Sequence, residues 1–143
     1  MEDATIEYRK GYKYQLAKDF HYTSNIFPFK DAEDDFISID MNGNLLVKAG
    51  YAWDGVSGPI QDTNENLRAS LVHDAYYQLM RRRKVSKDYR KKADLLFKKI
   101  LKEDGVPPSA AIAYYKALRA FGGQKADPSK AKKTITAPVD QAN

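Results

Sequence analysis

The chain has 143 residues, of which 43% are hydrophobic and none is cysteine. That is one domain's worth of sequence with material for a real core, and it excludes disordered chain, disulfide frameworks, thiolate zinc sites and cysteine nucleophiles. The formal net charge of +5 is unevenly spread, because residues 1–40 carry nine Asp/Glu and five Lys/Arg whereas residues 81–102 carry eleven Lys/Arg and two Asp.

A basic block of that kind offers a positive surface to the phosphates of lipid or nucleic acid; its alternative is a solvated helix face. No apolar run approaches the roughly 20 residues of a membrane span. The N-terminal stretch MEDATIEYRK is acidic and polar, so no secretory signal is expected there.

The first fifty residues read mainly as β. Tyr8 to Leu16 is tyrosine-rich and alternates loosely. Phe36 to Asp40, the turn Met41-Asn42-Gly43-Asn44, and Leu45 to Lys48 read as a hairpin around Asn-Gly. His21, next to Tyr22, reads as a surface or turn residue. From Tyr51 to Gln61 the alternation stops. WDGVSGPIQDT is expected to be a long loop with special backbone angles.

Beyond the loop the pattern turns helical. Asp62, Thr63 and Asn64 are the candidate N-caps of a helix running to about Lys84. Ser86 caps a second helix that ends near Asp104, with Gly105 as its stop. Pro107-Pro108-Ser109 opens a third helix to about Phe121, closed by Gly122-Gly123. The expectation is a single α+β domain over 1–123, with 1–50 mainly β and 62–122 mainly α. Residues 124–143 form a basic, Pro/Ala-rich tail. A short link makes the first two helices antiparallel neighbours.

Within the first helix, Leu71-Val72-His73-Asp74-Ala75-Tyr76-Tyr77 sets a histidine and an aspartate in an almost wholly apolar run. Burying such groups without partners costs several kcal/mol. Successive helical residues point about 100° apart, so His73 and Asp74 need different partners. Asp94 lies in the apolar stripe Ala93, Phe97, Ile100 and Leu101 of the second helix, and antiparallel packing lets it face His73. A carboxylate on one imidazole nitrogen fixes the tautomer and leaves the other nitrogen as a general base. Tyr77 can bond the same carboxylate. For Asp74 the partner is the glycine-bearing loop, whose carbonyls beside a carboxylate suit calcium. Asp54 is an extra ligand there, or a cap for the loop. The plainer reading makes each piece part of a structural network.

These motifs resemble a family of small proteins of unknown function carried largely by tailed bacteriophages and prophages. The marks are Asp54-Gly55-Val56-Ser57, His73-Asp74-Ala75-Tyr76-Tyr77 and Ala93-Asp94-Leu95-Leu96-Phe97. The resemblance implies a location in the virion or the bacterial host cytoplasm, and other virion proteins as partners.

The site is also similar, remotely, to that of secreted phospholipase A2. Trp53-Asp54-Gly55-Val56-Ser57-Gly58 stands where that family has its calcium loop, and Gly55 precedes His73 by the family's eighteen residues. By that likeness His73 activates water and Asp94 orients it. Asp74 binds calcium together with the carbonyls of Trp53, Gly55 and Ser57, and calcium stabilises the oxyanion. The chain departs from that family in having no cysteine, in Ser57 at the second loop glycine, and in its β-rich first half.

Three functions therefore compete. One is calcium-dependent ester hydrolysis on an anionic phospholipid surface. The second is a phage structural or tail protein whose polar network only stabilises the fold. The third is a non-specific nucleic-acid or host-factor binder using the basic block.

Overall fold

Asn42-Gly43 turns the chain as its sequence suggests. Asp40 accepts the amides of Asn42 and Asn44, each at 2.9 Å, and Gly43 adopts φ +84°. A Cβ at Gly43 would lie 2.2 Å from the Ser24 carbonyl, so both the conformation and the close approach require glycine. The computed structural model describes residues 2–10, 14–56 and 62–127.

Among the described residues seven short strands form two antiparallel sheets. β1 (Tyr8–Lys10), β2 (Tyr14–Leu16) and β7 (Ala52–Trp53) make the first, in the order β1-β2-β7. β3 (Phe20–Thr23), β4 (Ala32–Glu33), β5 (Ile37–Ile39) and β6 (Asn44–Val47) make the second, in the order β3-β6-β5-β4. Alternation drives the second sheet: Phe20, Tyr22, Ile37, Ile39, Leu45 and Val47 all point into the core.

The β half differs from its sequence reading in three places. The Tyr8–Leu16 stretch is two strands, with Tyr8 opposite Leu16. Ala52 and Trp53, expected in a loop, pair with Gln15 and Tyr14. His21 lies in β3, where its amide donates to Asp3 at 2.8 Å.

Among the described residues four α-helices follow: α1 (Leu67–Arg81), α2 (Arg90–Glu103), α3 (Pro108–Phe121) and the four-residue α4 (Gly123–Ala126). None is long and apolar enough to cross a membrane. Helix α1 begins later than expected, with Asn66 at its N-cap. The physical reason is that Asp62 is engaged elsewhere, accepting from Val56 N and Tyr14 Oη at 2.8 Å each. Past Arg81 the chain leaves the helix through Arg83 at φ +59°. Ser86 caps a 3₁₀ turn, Lys87–Tyr89, that leads into α2. Gly105, at φ +101°, follows the end of α2, and Pro108 opens α3 at its first turn.

The chain is thus α+β, with α1 as its central strut. Helices α1 and α2 run antiparallel. Arg68 at the start of α1 forks onto Asp104 (3.0 and 3.1 Å) and bonds Glu103 (2.9 Å) at the far end of α2, while Tyr77 near the end of α1 meets Arg90 at the start of α2 (3.1 Å). Two buried bonds tie α1 to the sheets: Trp53 Nε1 donates to Ser70 (3.0 Å), and Tyr76 Oη lies 2.6 Å from Ser24 Oγ.

Candidate functional site

His73, Asp74 and Tyr77 enter on α1 and Asp94 on α2. The antiparallel pairing brings His73 Nε2 within 2.7 Å of Asp94 Oδ1. Tyr77 Oη, one helical turn on from His73, donates to the same oxygen at 2.5 Å. The imidazole is wedged between two rings, with centroids 4.1 Å from Tyr77 and 5.2 Å from Phe97. Asp94 is fully buried and His73 only 6% exposed.

The second oxygen of Asp94 belongs to arginines. Arg119 Nη1, from α3, donates to Oδ2 at 2.8 Å, and Arg90 Nε stands 3.8 Å from it. Arg90 also donates to Tyr77 Oη and to the carbonyls of Leu118 (2.6 Å) and Arg119 (3.0 Å) at the end of α3. Asp94 therefore gathers α1, α2 and α3 onto one charge. Burial alone would raise its carboxyl, but the bonds from His73 and Tyr77, the His73 charge and the bond from Arg119 outweigh it, so the group sits below its ordinary value. Tyr77 is pushed up, by burial first and then by its hydrogen bond to Asp94 and the Asp94 charge, and so serves as a neutral donor. An ionised Asp94 is what a tautomer-fixing partner of His73 requires. The two arginines share that charge, however, which weakens its pull on an imidazolium.

Asp74 points elsewhere, as helical geometry demands, and is half-buried. It lies close enough to the buried Tyr51 hydroxyl to help raise it. Burial is the main cause, Asp74 the next, and Asp54 contributes to the same side.

Trp53 is buried, stacked on Tyr51 at 6.5 Å and tilted against Tyr14 at 5.5 Å. Gly55 has φ +80°, and a Cβ there would lie 2.4 Å from both carboxylate oxygens of Asp62. Glycine is needed at 55 so that this carboxylate can close over the chain and take the Val56 amide. Ser57 lies outside the described residues.

Oxygen donors are the right class for calcium, and Asp74, Asp54 and the carbonyls of Trp53 and Gly55 supply them. Among the described residues no group of three or more His, Asp or Glu is placed to hold a metal, so a calcium ion here would depend on backbone carbonyls.

Residues 14–118 match the family model described as a protein of unknown function, DUF1353. The chain belongs to the DUF1353 family. The matched span runs from β2 almost to the end of α3, and so includes Trp53, Gly55, His73, Asp74, Tyr77, Arg90 and Asp94 of this DUF1353 chain. Searches of curated proteins and of solved structures give no match.

The sequence reading gives no role in the site to four residues: Arg90, Arg119, Asp62 and Tyr51. Arg90 leaves a local signal, since it precedes Asp94 by four residues on one helix. Arg119 leaves none, because its approach depends on how α3 packs.

Proposed function

We propose that this DUF1353 chain is a bacteriophage accessory or virion-associated protein whose His73–Asp94 pair serves calcium-dependent ester hydrolysis of phospholipid. The observation that carries the reading is the bond from His73 Nε2 to a fully buried, ionised Asp94. It gives the imidazole the carboxylate partner by which a general-base histidine is oriented. His73 would take a proton from water, Asp94 would stabilise the imidazolium, and Tyr77 would hold the carboxylate in place. Asp74, Asp54 and the carbonyls of Trp53, Gly55 and Ser57 would hold calcium. When bound, calcium supplies electrostatic stabilisation of the developing oxyanion.

A second reading has its own support. In a phage structural or tail protein the same network would serve only as a lock between helices. The counter-charges of Arg90 and Arg119 on Asp94, and the low exposure of His73, favour it. Fatty-acid release from phospholipid vesicles, measured with calcium and with a chelator, separates the two. The hydrolase predicts calcium-dependent release that Asp74→Asn lowers by at least about a hundredfold, the scale of losing one oxyanion-stabilising contact. No release by folded wild-type protein leaves the lock.

A further inference from the structure

Helix α2 buries one side and charges the other. Ala93, Asp94, Leu96, Phe97, Ile100 and Leu101 face the core. The opposite side carries Lys91, Lys98 and Lys102 at i, i+7 and i+11, flanked by Lys92 and Lys99. All of these are exposed except Lys98, which is half-buried. The turn that leads into α2 continues the strip, since Arg83, Lys84 and Lys87 line one cleft of ≈ 370 Å³. Lys92 and Lys99 line a second cleft, of ≈ 240 Å³, together with Thr23, Ser24 and Asn25.

A helix face that only meets water interleaves the two signs, because like charges three or four residues apart oppose the helix. This face does not interleave them. Lys98 and Lys102 are four apart, Lys99 and Lys102 are three apart, and the exposed acid within 82–102 is Asp88. Asp34 pairs with Arg82 at 2.9 Å and Glu103 with Lys99 at 3.2 Å. Among the described residues, Arg83, Lys84, Lys87, Lys91, Lys92 and Lys102 take part in no ion pair. Their charge is left for a partner.

We propose that the outward face of α2 and the turn before it bind the phosphate backbone of a nucleic-acid duplex, without reading its sequence. From Lys91 to Lys102 the strip runs about 16 Å at 1.5 Å per residue, and over that length a duplex presents roughly ten phosphate charges. The large apolar side chain on this face is Leu95, at 38% exposure, which is too little for insertion into a bilayer. Tyr115 is half-buried, with Lys98 Nζ over its ring at 5.1 Å, and so offers no platform on which single-stranded bases stack. Residues 1–40, with nine acids to five bases, belong to the sheets. They turn the protein's negative side away from the duplex as it approaches. The inference goes beyond the phospholipid reading and does not rest on it.

The test is fluorescence anisotropy of a short labelled DNA duplex of arbitrary sequence, titrated with the full chain in chelator over a series of salt concentrations. Log affinity should fall linearly with log salt, by about 0.9 per phosphate contact. Lys84→Gln/Lys87→Gln and Lys91→Gln/Lys102→Gln should each lower that slope by about two and weaken binding at least about tenfold at low salt. Lys18→Gln/Lys48→Gln removes the same charge from exposed positions beside the sheets and should leave binding near the wild-type level. Thermal melting checks that the variants fold. No binding, a flat salt dependence, or an equal loss in the sheet-side variant would overturn the proposal. So would tighter binding to a single strand of the same length, or release of the duplex by phosphatidylglycerol vesicles at a lower phosphate concentration than by unlabelled duplex. The enzyme reading fails separately. Duplex binding without fatty-acid release in calcium supports the surface and counts against the hydrolase; fatty-acid release without duplex binding does the reverse.

Discussion

A carboxylate with no exposure survives inside a protein only when donors surround it, and Asp94 has them from His73, Tyr77 and Arg119, with Arg90 close by. Tyr77→Phe removes one bond to a charged group and should cost about 1.5–3 kcal/mol, read as a shift in the urea midpoint. Asp94→Asn should cost more, about 3–5 kcal/mol, because it strands arginines that the carboxylate compensated. Acid should act on the same group. Asp94 lies below its ordinary 3.8 in the folded state, so its contribution is complete above that value and is lost as pH falls through the folded one. Melting temperature should therefore stay level near neutrality as far as Asp94 is concerned and drop below about pH 4. Asp94→Asn should lack that part of the drop. An identical acid slope in the two proteins would contradict the account.

At the scale of elements, the close of α3 is a tight joint. A Cβ on Gly122 would meet the Leu118 carbonyl at 2.7 Å and the Tyr77 hydroxyl at 3.1 Å, beneath the Arg90 guanidinium. Gly122→Ala should thus destabilise by about 1–3 kcal/mol through crowding and loosen the bonds around Asp94. Gly105→Ala provides the contrast, since nothing lies within 4 Å of its Cβ and only the positive φ opposes it. Its cost should stay near 1 kcal/mol. Comparing the two melting curves checks both figures.

Strong local signals made part of this architecture legible. The Asn42-Gly43 hairpin, the Ser86 cap, Gly105 and the Pro108 opening stand where turn and cap chemistry place them. Strands of only two residues, β4 and β7, carry too little alternation to be read. Asp62 looked like a helix cap, yet its carboxylate serves Gly55 and Val56 over a span that local reading does not weigh. His73 and Asp94 could be paired because antiparallel helices and an apolar stripe fix their facing sides. The Arg119 contact requires the position of α3, which no periodicity encodes.

Across the whole molecule, charge and packing divide the work. Two sheets, α1 and the inner face of α2 build the core, Arg68 locks one end of the α1–α2 pair, and the Asp94 network locks the middle. The basic turn between the two helices faces outward, with Arg82, Arg83, Lys84 and Lys87 exposed. Such an arrangement places a buried polar site and an exposed basic turn on the same pair of helices. The hydrolase reading needs the first as an active site, whereas the structural reading needs only the locks. His73→Asn separates the two, since it removes the base at a modest change in size and its folded fraction can be checked by melting. The decisive measurement is the rate of fatty-acid release from anionic phospholipid in calcium by wild type and His73→Asn, at equal folded fraction. The account predicts measurable release by the wild type and a loss of at least about a hundredfold in the variant. Equal rates, or no release by folded wild-type protein, would contradict it.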